Sequence, residues 1–251
     1  MTIDWFILAP AAFFAGMVDA VVGGGGLIQI PVLLTSFPQT AIPTLFGTNK
    51  VSSIAGTGAA LWRYARAVQI PWRLVLPATG AALVGAWLGA AVVAWLSREA
   101  MRPLVVVMML AVAIYTFLRK DLGQTETHEP RPGDAWRGAL FGLVIGLYDG
   151  FFGPGTGSFL IFGFVRIFGM DFVRASASAK VINCATNVSA IAFFASHGPI
   201  LWAVGLTMAV CNLAGAQLGT HLALRHGAGF IRKAFLLVVA VLIVKQLHDL
   251  L

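Results

Sequence analysis

Apolar stretches long enough to cross a lipid bilayer recur along almost the whole chain, and no other feature narrows its possible folds as much. Runs of about 17 to 25 residues lie at roughly 3–22, 44–62, 74–97, 103–118, 136–152, 178–196, 200–224 and 230–247. These are eight candidate long spans. Two shorter apolar pieces, about 27–37 and 157–169, follow glycine-rich breaks and read as half-helices or re-entrant segments. The 251 residues are 59% hydrophobic and 11% charged, whereas a soluble domain carries about 25% charged residues. A soluble enzyme is therefore excluded as a class, and the expected fold is an all-α polytopic membrane protein with broken helices.

The halves of the chain match at a constant offset of 130 residues, without a gap. Gly16, Asp19, Gly23 and Gly25 pair with Gly146, Asp149, Gly153 and Gly155. The same register pairs Lys50-Val51 with Lys180-Val181, Ile70 with Ile200, Trp72 with Trp202, and Gly85-Ala86-x-Leu88-Gly89 with Gly215-Ala216-x-Leu218-Gly219. Identical polar residues in one register are harder to obtain by chance than shared hydropathy, so the sequence reads as an internal duplication. The expected organisation is a first repeat over 1–118, a polar inter-repeat loop over 119–136 with Pro130 and Pro132, and a second repeat over 137–251.

Loop charges bear on the relative orientation of the repeats, because cytoplasmic loops are rich in Lys and Arg. Segment 63–73 has Arg63, Arg66 and Arg73, and its equivalent 193–203 has no basic residue. One loop earlier the bias reverses: 36–47 has none, and 166–177 has Arg166 and Arg174. Equivalent loops then face opposite sides, as in an inverted repeat. Arg98/Arg102 and Arg232/Lys233, both basic, depart from the pattern. The same reading puts the central loop in the cytoplasm and both termini outside. The net charge of +7 is spread singly or in pairs at span ends, with no basic stripe, so no nucleic-acid partner is expected.

Each half has a span that ends in an aspartate followed by glycines: Asp19 before Gly23-Gly24-Gly25-Gly26, and Asp149 before Gly153-Pro154-Gly155-Thr156-Gly157-Ser158. Neither run sustains a helix. Unwound backbone at membrane depth must be satisfied by protein, water or ligand, and a helix restarting there presents N–H groups that favour an anion. A lysine follows each break at the same interval, Lys50 and Lys180. A cation in the bilayer is costly unless it is paired or lines a wet cavity. Two lysines facing two breaks would form an anion site at the repeat interface, completed by donors from Thr48, Asn49, Ser52, Ser53, Asn183, Thr186 and Asn187.

Plainer readings stand beside these. Lys50 and Lys180 lie near span starts and could instead snorkel to an interface. Asp19 and Asp149 read equally as proton carriers, counter-ions to the lysines, or caps on unwound backbone. Gly85, Gly89, Gly215 and Gly219 have the small-xxx-small spacing of packed helices. His197, His221 and His226 lack metal spacing, and Cys184 and Cys211 lie in apolar runs as small packing residues, so no metal or cofactor is expected. Trp5, Trp62, Trp72, Trp87, Trp95, Trp136 and Trp202 read as interface anchors. Met1 to Trp5 has no basic n-region and does not read as a cleaved signal peptide.

The run from Ala15-Gly16-Met17-Val18-Asp19 through Gly23-Gly24-Gly25-Gly26 to Ile30-Pro31, then Gly47-Thr48-Asn49-Lys50 and Gly153-Pro154-Gly155-Thr156-Gly157, resembles the sulfite exporter TauE/SafE family. The resemblance covers essentially the whole chain. It implies a multi-pass secondary transporter in the cytoplasmic membrane, not an enzyme, that exports a small sulfur-containing anion such as sulfite or an organosulfonate. The family's Asn-Lys matches Asn49-Lys50; before Lys180 stands Ala179. The rival expectation is a passive anion channel or a carrier of another small anion. Expected partners are the anion and membrane lipid, with a homo-oligomer left open.

Overall fold

The structure, a computed structural model, describes residues 4–96, seven positions between 103 and 114, and residues 133–226. The described residues contain helices and no strand. Eight helices have defined bounds: α1 Trp5–Val22, α2 Gly26–Ser36, α3 Ile42–Ala67, α4 Trp72–Trp95, α5 Asp134–Phe151, α6 Thr156–Phe168, α7 Phe172–His197 and α8 Trp202–His226. The expected span at 230–247 lies outside the described residues, as does most of the polar loop, whose last residues from Asp134 are already helical. The seven described positions of the 103–118 stretch are helical, and Leu104, Met108 and Leu110 pack against the largest core cluster.

Local chemistry accounts for the breaks between helices. Gly23 ends α1 in the left-handed region at φ 75°, and its N–H donates to Asp19 O at 3.0 Å. Gly155 opens α6 and Gly169 closes it, both left-handed, which a residue with a Cβ rarely tolerates. Asp171 caps α7 by accepting from Val173 N and Arg174 N at 2.9 Å. The two short helices, with 11 and 13 residues, extend about 16 and 20 Å at 1.5 Å per residue. Neither bridges a hydrocarbon core of about 30 Å.

Three of the described helices are long and apolar enough to cross a membrane by hydropathy: α1, α4, and α8 over Trp202–Arg225. Of the eight expected spans, 230–247 and most of 103–118 lie outside the described residues, and three of the other six meet this criterion. α3 and α7 have the length, 26 residues each, but carry the polar side chains of the chain's centre, and α5 carries Asp134, Arg137 and Asp149. Large apolar side chains on the outside, among them Leu76, Val84, Val144, Leu206 and Val210, suit lipid rather than water. Six of the seven tryptophans lie close to the ends of helices, but Trp87 sits in the middle of α4, its ring edge-on to Phe193 at 5.2 Å. Trp87 is 41% exposed and also lies edge-on to His197, the last residue of α7.

The helix bounds recur at the offset seen in the sequence. α3 and α7 begin at 42 and 172 and end at 67 and 197. Packing recurs as well: α4 lies against α5 as α8 lies against α1, and α3 lies against α8 as α7 lies against α4. Glycines make the close approaches. Added Cβ atoms at Gly85 and Gly89 would collide with Leu143 O and Leu147 O on α5, and at Gly215 and Gly219 with Phe13 O and Met17 O on α1. These four glycines therefore serve packing, as their spacing implied. From α5, Gly142, Gly146 and Gly150 press on Ala78, Ala82 and Ala86, so α4 and α5 run parallel.

α3 and α7 run antiparallel. Gly47 packs on Phe194 at one end, while Thr57 and Lys180 meet at Asp19 further along. The α2–α3 and α7–α8 links consequently share one end, where Leu201 N donates to Thr48 Oγ1 at 3.1 Å. The α3–α4 and α6–α7 links share the other, where Arg174 Nε donates to Gln69 O at 3.1 Å. Arg63, Arg66, Arg73, Arg166 and Arg174 all lie on or beside this second pair of links.

Candidate functional site

The two glycine breaks cross at the centre of the molecule. Gly23 lies so close to Gly157 and Ser158 N that neither glycine position leaves room for a Cβ. Gly26 packs on Pro154, and the Ser158 hydroxyl donates to Val22 O. Tyr148 and Tyr64 hold the flanks, donating to Pro154 O and, at 3.0 Å, to Ala20 O. Both short helices start here without a side-chain cap. Backbone oxygens of the breaks take several of the first-turn N–H groups instead: Leu27 N and Ile28 N donate to Gly24 O and Gly25 O at 3.0 Å, and Thr156 N donates to Gly153 O at 3.1 Å.

Each lysine reaches across to the aspartate of the other half. Lys50 Nζ lies 2.8 Å from Asp149 Oδ2, and Lys180 Nζ lies 2.8 Å from Asp19 Oδ2. All four groups are largely withdrawn from solvent, with side-chain exposures of 5% and 2% for the first pair and 0% and 16% for the second. The lysines do not snorkel. Of the three roles open to the aspartates, both act as counter-ions here, and Asp19 also caps the break by accepting from Gly25 N at 3.4 Å. Lys180 further donates to Asp19 O, and Thr57 Oγ1 donates to Asp19 Oδ2 at 3.3 Å. Lys50 stands beside the opposite break, where a Cβ at Gly153 would come within 3.0 Å of Nζ.

The other expected site residues divide into two groups. Helical spacing puts Lys50, Ser53 and Thr57 on one face of α3, and Lys180, Asn183 and Asn187 on one face of α7. Ser53 is half-buried, and Asn183 and Asn187 are buried. Thr48 is occupied elsewhere: its hydroxyl donates to Thr44 O at 2.7 Å and accepts from Leu201 N. Thr156 Oγ1 donates to Gly153 O at 2.7 Å, and Thr186 Oγ1 to Asn183 O at 3.1 Å, local bonds that steady the backbone. Gly157 meets Gly23 at the crossing, Gly25 packs back on Ala15 and Asp19 of α1, and Gly24 and Gly155 lie in the breaks beside them. Asn49 Oδ1, Ser52 Oγ and Asn187 Nδ2 are buried without a hydrogen-bond partner. So are both amide atoms of Gln29 on α2 and Ser176 Oγ on α7.

Sequence reasoning missed Thr57, Gln29, Tyr64 and Tyr148. Thr57 was within reach, being two turns beyond Lys50 on the same face. Gln29 is the lone amide among apolar neighbours in α2, a signal of the kind already used for the lysines. Also unanticipated is a surface pocket of about 450 Å³ lined by Trp62, Arg63, Arg66, Gln217 and Leu224, with Arg66 over the Trp62 ring at 4.4 Å. Among the described residues, no group of three or more His, Cys, Asp and Glu side chains is placed to hold a metal.

Long apolar helices around a buried, charge-paired centre and two broken segments define a helical membrane protein with a polar core. The chain matches the family described as Sulfite exporter TauE/SafE over residues 8–246, and it belongs to that family of membrane transporters. It is 36% identical to the probable membrane transporter protein ORF9 of a Sinorhizobium species, over 96% of this chain and 92% of that one. It is 30% identical to the probable membrane transporter protein YfcA of Escherichia coli strain K12, over 97% and 89%. A probable membrane transporter protein of Haemophilus influenzae is 31% identical over 97% and 94%. No solved structure matches the chain.

Proposed function

We propose that the protein is an inverted-repeat secondary transporter of the cytoplasmic membrane, crossing it several times and exporting a small sulfur-containing anion such as sulfite or an organosulfonate. The observation that carries this reading is the pair of buried lysines, each held by an aspartate of the other half, beside two crossed helix breaks. The substrate class follows from membership of the sulfite exporter TauE/SafE family. Inversion is supported by the antiparallel course of α3 and α7, which are equivalent at the 130-residue offset. The basic residues gathered at the α3–α4 and α6–α7 links support a cytoplasmic location for that end.

The chemistry suits alternating access. An anion bound between the halves touches both, so rocking one half against the other carries it from one side to the other. A membrane negative inside favours outward movement of an anion by about 2.3 kcal/mol per charge per 100 mV. The test is efflux from sulfite-loaded proteoliposomes. Wild-type protein is expected to give saturable efflux that external sulfite accelerates by exchange, and the Lys50→Ala, Lys180→Ala double variant is expected to lose it. Undiminished efflux from the double variant would falsify the site, and non-saturable efflux without exchange would indicate a pore.

A further inference from the structure

The two ion pairs are equivalent in position and unlike in their surroundings. Around Asp19 the polar groups are consumed: Oδ2 takes Lys180 Nζ and Thr57 Oγ1, and Oδ1 takes Gly25 N. Lys180 Nζ also donates to Asp19 O, the same oxygen that accepts from Gly23 N at the end of α1. The lysine is fully enclosed, and the carboxylate, 16% exposed, is the side of the pair that meets water. An anion arriving there meets a negative charge first.

The Lys50 half has the opposite character. Asp149 Oδ2 lies 2.8 Å from Lys50 Nζ but makes no directed hydrogen bond. The residue equivalent to Thr57 is Asn187, and its Nδ2 is a buried donor with no partner. Buried donors are nearly always paired, so one left unpaired on the face that carries the lysines marks where another group completes the structure. Because α3 and α7 are antiparallel and Thr57 meets the Lys180–Asp19 pair, the same offset sets Asn187 alongside Lys50–Asp149. Ser53, midway between, is half-buried. The glycines differ too: Gly23 is covered by backbone of Gly157 and Ser158, whereas a Cβ at Gly153, at φ 88°, would meet the Lys50–Asp149 pair itself, Nζ at 3.0 Å and Asp149 Oδ1 at 3.3 Å.

We propose a division of labour in which the anion binds in the Lys50 half, its oxygens taking Lys50 Nζ and Asn187 Nδ2 beside the Ser53 hydroxyl. Lys180, Asp19 and Thr57 form a strut that holds the broken end of α1. This rests on the small-anion reading of the protein and specifies which lysine meets the anion. Asp149 is then the competitor that the anion displaces from Lys50. Removing its charge strengthens anion binding, whereas removing that of Asp19 only loosens the fold.

The test uses the full-length protein purified in detergent, with equilibrium binding of radiolabelled sulfite and thermal unfolding measured on each variant. Lys50→Gln and Asn187→Ala are expected to weaken binding by about tenfold or more, a loss of about 1.4 kcal/mol per factor of ten. Asp149→Asn is expected to bind several-fold more tightly and to show a larger sulfite-induced rise in Tm than wild type. Thr57→Val is expected to lower Tm while keeping wild-type affinity, and Lys180→Gln to lower Tm further. Because Asn187→Ala and Thr57→Val are mild changes, they keep the comparison open if either lysine variant fails to fold. Weakened binding by Thr57→Val at unchanged Tm, or unchanged binding by Asn187→Ala or Asp149→Asn, overturns the division of labour alone. Wild-type protein that neither binds nor transports sulfite or methanesulfonate overturns the small-anion reading and the division with it.

Discussion

A charge is affordable inside this molecule only with its partner. Burying an ammonium or a carboxylate away from water costs several kcal/mol, and a close counter-ion recovers part of that. Lys50 with Asp149 and Lys180 with Asp19 satisfy this condition at 2.8 Å. Removing one member of a buried pair strands the other at a cost of about 3–5 kcal/mol. Asp19→Leu should therefore lower Tm strongly in thermal melts, and Asp19→Leu with Lys180→Leu should recover much of the loss. A double variant no better than the single one would show that the pair does not act as a unit. Gly153 is constrained twice, by its φ of 88° and by the nearness of Lys50 Nζ. Gly153→Ala should lower both Tm and sulfite affinity. Gly58→Ala in α3, where nothing lies within 4 Å of the new methyl, should leave both unchanged or raise Tm slightly. Equal effects of the two substitutions would remove Gly153 from the site.

Helices here are assembled by contact between backbones. Lipid is as apolar as the side chains it would replace, so close packing rather than hydrophobic exclusion holds membrane helices together. Gly146 and Gly150 on α5 meet the backbone of α4 at Ala82 and Ala86 with no space for a side chain. Gly146→Val and Gly150→Val should each separate α4 from α5, seen as aggregation or a large fall in Tm in detergent. Normal melting of both variants would show that this contact is dispensable. Much of this level was legible in the chain. The Gly23–Gly26 and Gly153–Gly155 breaks predict helix ends because glycine and proline cannot sustain a helix, and the ends fall there. α3 and α7, read as spans from their apolar runs, fall below the mean hydropathy of α1, α4 and α8, because a helix that carries the central polar groups scores as less apolar than one facing lipid. The lysines were legible as the rarest residues in an apolar run. Their crosswise partners were not, since the offset shows which residues are equivalent and says nothing about which half supplies the counter-ion. Thr57 and Asn187 differ in sequence at equivalent positions, and only the hydrogen bonds reveal that one is used and the other left over.

The whole molecule has two ends that differ in charge, and the difference predicts how it sits in a membrane. At one end Arg174 reaches Gln69 across the α3–α4 and α6–α7 links, with Arg63, Arg66 and Arg73 close by in sequence. At the other, Leu201 meets Thr48, and the linking segments 37–41 and 198–201 carry no charge. Val68 and Gly198 close α3 and α7 and are equivalent at the 130-residue offset, yet they lie at opposite ends because the two helices run antiparallel. In a parallel duplication they would lie at the same end. Val68→Cys and Gly198→Cys, each placed in a variant with Cys184 and Cys211 replaced by alanine, turn that difference into a measurement. An impermeant maleimide should label Val68→Cys only in inside-out vesicles, where the basic end faces the reagent, and Gly198→Cys only in right-side-out vesicles. Labelling of both from the same side would rule out the inverted arrangement, and the reverse sidedness would keep inversion while turning the molecule over. The basic end then could not be the cytoplasmic one. The Trp62, Arg63 and Arg66 pocket, which lies on that end of α3, would face outward with it.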